Sequence, residues 1–211
     1  MSSSREVLTA ILLVMAISGL SIDSTLGQQS SPRKPPPAVI KYNGDMASIL
    51  ATLSEVYDTS IGLELEPPQT HVQVEFYLRD PSLPDVLNAI VQSAPRYQWR
   101  DVGGFVEVFP LAGRNALLDT RVMDFKVQDV NSGDAIGQLI KMSEVQTSMG
   151  MLNLKLQPPT APGQESGSKF SLRLENVTLR EALNSIAKQS GARFWVFRTD
   201  KQGTFSVRTS I

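Results

Sequence analysis

The chain has no cysteine and a single histidine. The first absence excludes disulfides, thiol nucleophiles and thiolate metal sites, and with them a bacterial-type lipid anchor on an N-terminal cysteine. The second leaves His71 alone, and one imidazole cannot assemble a histidine-based metal centre. No metal or cofactor is expected. Excess charge of one sign is also missing. The formal net charge is -1, so no overall basic field draws in nucleic acid or an anionic membrane. The apolar run VLTAILLVMAISGLSI (residues 7–22) stops at sixteen residues, short of the roughly 20 that a membrane-spanning helix needs.

What is present begins with that run. A short polar start, an apolar core and small residues before a cut after Gly27 make residues 1–27 a secretory signal peptide. The weak basic start, where Glu6 offsets Arg5, leaves an uncleaved anchor or a buried helix as alternatives. With the signal removed, no integral membrane segment is expected, and the folded part is expected in the periplasm or secreted. QQSSPRKPPP (28–37) has too little apolar surface for a core and reads as an extended Pro-rich linker.

The remainder holds one short pattern twice. SLPDVLNAI (82–90) and TLREALNSI (178–186) lie 96 residues apart, each with a hydroxyl residue first, an acid three places on and a helical apolar stripe. Ser82 with Asp85, and Thr178 with Glu181, are placed as capping boxes. Their stripes run through Leu83, Val86, Leu87, Ile90 and Val91, and through Leu179, Ala182, Leu183, Ile186 and Ala187.

The flanks repeat too. AVIKYNG is a strand, and the next helix turns Ile49, Leu50, Leu53 and Val56 inward. IGLELEPP and HVQVEFYLRD alternate as strands, and RYQWRDVGGFVEVFP is a hairpin turning at Val102-Gly103-Gly104. The second series is RVMDFKVQD, the helix SGDAIGQLIKM, LNLKLQPP, a longer loop TAPGQESGS, FSLRLEN, the capped helix and a last hairpin. The expected fold is α+β: a tandem duplication of a small β-α-β-β-α-β-β unit, with modules at 38–110 and 120–210.

Aligning QSAPRY with QSGARF requires one inserted residue near Lys188. That pairs Tyr97 with Phe194 and Trp99 with Val196, and it sets Trp195 and Phe197 on the opposite face of their strand. This face is covered by the other unit or a loop, or it is an exposed apolar patch for a partner. On the second reading Trp195 and Phe197 anchor a protein partner, with Arg193 and Arg198 beside them.

FSLRLENVTLREALNSIAKQSGARFWV, followed by GTFSV, resembles the secretin and TonB N-terminus short domain. SLPDVLNAIVQSAPRYQW with GFVEV is similar, though Pro84 and Val86 replace more usual residues. The resemblance spans about residues 38–210. It implies two helices packed between small sheets, a periplasmic or outer-membrane-associated setting, and a protein partner such as a secretin, a receptor or a regulator. The chain stops at Ile211 with no barrel or secretin ring domain behind it. The expectation is therefore a free-standing, non-enzymatic docking or adaptor protein of the cell envelope.

A periplasmic signalling module is the alternative within the binding class, and a carboxylate-using envelope enzyme is the alternative outside it. For the enzyme, His71 has no nucleophile-elbow serine to serve. Glu64 and Glu66 alternate with leucines, as the solvent face of a strand should, and Asp85 is absorbed by capping, which leaves Asp80 alone. Arg173, Arg180, Arg193 and Arg198 are spread over a strand, a helix and a hairpin rather than one basic stripe, so no nucleic-acid partner is expected.

Overall fold

The computed structural model describes residues 37–157 and 168–210. The expected signal peptide, the linker except Pro37, the second proline pair and the loop after it except Ser168 lie outside these residues. Within them the first half runs β1 (Val39–Asp45), α1 (Met46–Val56), β2 (Ser60–Glu64), β3 (Gln73–Arg79), α2 (Leu83–Ser93), β4 (Tyr97–Asp101) and β5 (Phe105–Pro110). A 3-10 turn at Ala116–Asp119 follows. The second half runs β6 (Arg121–Val130), α3 (Ser132–Ile140), α4 (Ser143–Met151), β7 (Lys155–Leu156), β8 (Phe170–Thr178), α5 (Leu179–Ser190), β9 (Phe194–Thr199) and β10 (Thr204–Ser210). The fold class is α+β.

Local chemistry sets the element boundaries. Both capping boxes form: Ser82 Oγ accepts the N–H of Asp85, Thr178 Oγ1 accepts that of Glu181, and each acid answers the cap residue's own N–H. Gly103 and Gly104 have positive φ, which a hairpin turn needs and glycine supplies without a steric penalty. One element escapes the periodicity argument. Helix α4 buries only Val145 and Met149, a stripe too thin to stand out in the sequence.

Sheet topology joins the halves. A six-stranded sheet has the order β4-β5-β2-β9-β10-β7, and β2 of the first half pairs parallel with β9 of the second. Two antiparallel pairs, β1-β3 and β6-β8, stand apart from it. Alternate residues of the large sheet belong to different cores. Ile61, Leu63, Val106, Val108, Phe194 and Val196 pack with α1 and α2, whereas Phe105, Trp195, Phe197 and Phe205 pack with α3, α4 and α5. The helices also pack on the two-stranded pairs, α1 on β1, α2 on β3, α3 and α4 on β6, and α5 on β8. Helices therefore lie between a small sheet and the shared one on each side. The described residues fall in one compact unit.

Two expectations need correction here. Glu64 is not on a solvent face: β2 is a central strand and Glu64 is fully buried. A strand covered on both faces loses the apolar-in, polar-out alternation. The pairing of Trp99 with Val196 also fails, although α5 is one residue longer than α2. Trp99 Nε1 donates to Asn88 Oδ1 at 3.0 Å, and Trp195 Nε1 donates to Asn184 Oδ1 at 2.9 Å, each across eleven residues. Asp80 and Asn176, 96 apart, share positive φ as well. These 96-residue offsets align Trp99 with Trp195 rather than with Val196.

Candidate functional site

The four residues expected to hold a partner do not form a surface site. Trp195 is 1% exposed and Phe197 0%, because β9 lies between β2 and β10 and carries a core on each face. The Trp195 indole rests on Gly62 of the neighbouring strand, where an added Cβ would stand 2.5 Å from the ring. Arg193 is partly exposed and pairs with Asp58 at 2.8 Å. Arg198 is partly buried with its Nε unpartnered. At about 3.3 Å of strand rise per residue, the two arginines are roughly 16 Å apart. The structure removes the aromatic anchor and separates its flanks.

The buried polar groups gather along the seam between the halves. Arg180 of α5, 4% exposed, meets Glu64 of β2 at 2.5 Å, and Arg114 Nε lies 3.8 Å from the same carboxylate. The Asn115 N–H donates to Glu64 Oε1, and Asn115 Nδ2 donates to Thr199 Oγ1 at 3.0 Å. Four residues along α5 from Arg180, Asn184 Nδ2 donates to Glu107 Oε1 at 2.7 Å, while Arg100 holds Glu107 Oε2 through two N–H groups. Helical spacing aims Arg180 and Asn184 at the sheet from one side of α5. The sequence signal was an arginine and an asparagine at i and i+4 beside an apolar stripe.

These carboxylates are saturated with structural partners. Both oxygens of Glu64 and both of Glu107 accept from arginines or amides, so each carboxylate is engaged in the seam. The Ser82 hydroxyl, and then its backbone N–H, hold the Asp85 carboxyl below its ordinary range, which suits a cap. His71 is 66% exposed, with Asp45 Oδ1 3.5 Å away, and no serine hydroxyl bonds to it. Among the described residues no group of three or more His, Cys, Asp or Glu side chains could hold a metal. Arg173 is tied to Asp124 and Glu175, and Arg180 and Arg193 are paired elsewhere, so these three arginines do not form one stripe.

What the surface does offer is strand edge. β1 pairs with β3 over all seven of its residues and, among the described residues, with no other strand. A groove of about 220 Å³ runs between β1 and α1, floored by Ile40, Ile49, Leu53 and Val56 and rimmed by Thr52. Of the other edges, β4 of the large sheet pairs only with β5 among the described strands, and the rest are occupied or interrupted. Ser93 of α2 takes the N–H of Glu75 on β3. Helix α4 packs against β6, and its Glu144 accepts the N–H of Met123 at 3.4 Å. β6-β8 has a register shift between Val127 and Val130, and β7 has two residues. Set against known protein families, curated proteins and solved structures, the chain matches none of them.

Proposed function

We propose that this protein is an exported, non-enzymatic docking or adaptor protein of the cell envelope, working in the periplasm and capturing a protein partner along its sheet edges. The observation that carries the reading is the outer edge of β1, which has no strand partner among the described residues and lies above an apolar groove, since unpaired backbone groups on a sheet edge are a template for a further strand. The assignment of the buried acids to the seam supports a binding rather than a catalytic role. The N-terminal signal pattern and the resemblance to the secretin and TonB N-terminus short domain support the location. Among the described residues no helix is long and apolar enough to cross a membrane. The shared order of elements, the two capping boxes and the two Asn–Trp hydrogen bonds support an origin by tandem duplication.

Site-specific photocrosslinking tests the reading. A crosslinking side chain is placed at Lys41 on β1, Gln98 on β4 or Lys126 on β6, in cells that make the protein. A discrete protein adduct from at least one edge is expected. If no edge yields an adduct above the level of an uninserted control, docking by strand edges is wrong.

A further inference from the structure

We infer that the β1 edge and the β1-α1 groove form a receptor for an extended peptide strand that alternates apolar and acidic side chains. This rests on the docking reading above and assigns its site and its partner's chemistry. Three observations converge. The first is hydrogen bonding: the outer edge of β1 has no strand partner among the described residues, so an added strand gains a ladder of main-chain bonds.

The second is a comparison within the molecule. In the second half the corresponding position beside β6 is filled by α4, which buries Val145 and Met149 and takes the Met123 N–H. In the first half a single helix stands there, and the groove remains open. The side chains of an added strand alternate between two faces. Those facing α1 would meet Ile40, Ile49, Leu53 and Val56, which asks for apolar groups.

The third is charge. The outward face of β1-β3 carries Lys41 opposite Tyr77, and Val39 opposite Arg79. Neither Lys41 nor Arg79 has a carboxylate partner among the described residues; Arg79 Nε donates to the Tyr77 hydroxyl and its guanidinium lies over that ring. The acids at that parity, Glu75 opposite Asn43 and Asp45 opposite Gln73, stand toward the far end. By contrast, Arg173 and Lys169 around β6-β8 are matched by Asp124, Glu175 and Asp129. Outward-facing acids on the incoming strand would neutralise Lys41 and extend toward Arg79. A lysine on an edge also repels a second copy of the same edge, so Lys41 favours an acidic strand over self-pairing.

The test uses the full chain and labelled ten-residue peptides followed by fluorescence anisotropy. One alternates Val and Glu, one alternates Val and Lys, and a third has proline at the centre of the Val-Glu peptide. The Val-Glu peptide is expected to bind at least about tenfold tighter than either control, a gap of about 1.4 kcal/mol. Lys41→Glu should reverse the charge preference. Thr52→Phe, on the exposed rim of α1, should block binding while leaving the circular dichroism spectrum and melting temperature unchanged.

Amide exchange should slow at residues 39–43 when the Val-Glu peptide is added. Equal binding of both charges, or an unaffected Thr52→Phe variant, overturns the inference. So does protection of the Val39, Lys41 and Asn43 amides, which point away from β3, before any peptide is added, since it would mean that the chain's own N-terminal segment or a second copy fills the groove. Crosslinks from Gln98 or Lys126 but not Lys41 would leave the docking reading standing and remove this site alone.

Discussion

At the residue scale, the most informative pair is Gly62 and Trp195. An indole lies flat where a side chain on β2 would otherwise stand, so the glycine is there to admit the ring. Trp195→Ala should cost about 3–5 kcal/mol of stability, as large aromatic truncations in cores do. Gly62→Ala should cost about 1–3 kcal/mol by overpacking. In Gly62→Ala/Trp195→Phe the two costs should be less than additive, because the smaller ring vacates the space the methyl needs. Urea midpoints of the four proteins measure this, and strict additivity would show that the ring and the glycine are not coupled.

At the element scale, helices α2 and α5 are legible from sequence because their determinants are local. A hydroxyl, an acid three places on and a stripe at helical spacing all act within one turn or one face. Asp85 adds a pH signature. Its folded carboxyl is held below its ordinary range, so the cap's contribution is complete above the ordinary carboxylate pKa. It is lost as pH falls through the lowered value. The stability gap between the native chain and Asp85→Asn should therefore be open at neutral pH and close on acidification. A gap independent of pH would mean that the carboxylate's charge plays no part in the cap. Helix α4 was not legible, because two buried residues in nine leave little periodicity. Its role beside β6 becomes visible only through Glu144 and the Met123 N–H.

At the scale of the whole molecule, the halves are joined rather than tethered. β2 and β9 exchange backbone bonds from Ile61 N–H to Arg193 O and on to Leu65 N–H with Phe197 O, and Glu64 with Arg180 closes the seam. Losing one partner of a buried ion pair strands the other, so Arg180→Met should cost about 3–5 kcal/mol. Adding Glu64→Gln, which keeps an acceptor for the Asn115 N–H, should recover part of that. A double variant as unstable as the sum of its parts would disprove the pairing.

The joined sheet also makes unfolding cooperative. Trp99 and Trp195 are the chain's two tryptophans, one in each half. Fluorescence of Trp195→Phe and of Trp99→Phe should each follow that variant's own far-ultraviolet transition. A separate transition for one half would show that it folds on its own.

The sequence by itself determined the α+β class, the capped helices, the hairpin at Gly103 and Gly104, and the same series of strands in both halves. Each of these follows from interactions spanning a few residues. Tertiary structure alone decided that β2 and β9 lie side by side in one sheet. That placement buries Glu64 against Arg180, and it turns Trp195 and Phe197 from surface anchors into core. Alternation along a strand identifies two faces, but not how many of them are covered. The cover comes from chain more than 100 residues away in the case of Glu64 and Arg180. For the same reason the groove beside β1 could not be read in advance. Its walls are sequence neighbours, yet its openness depends on no described helix standing where α4 stands in the other half.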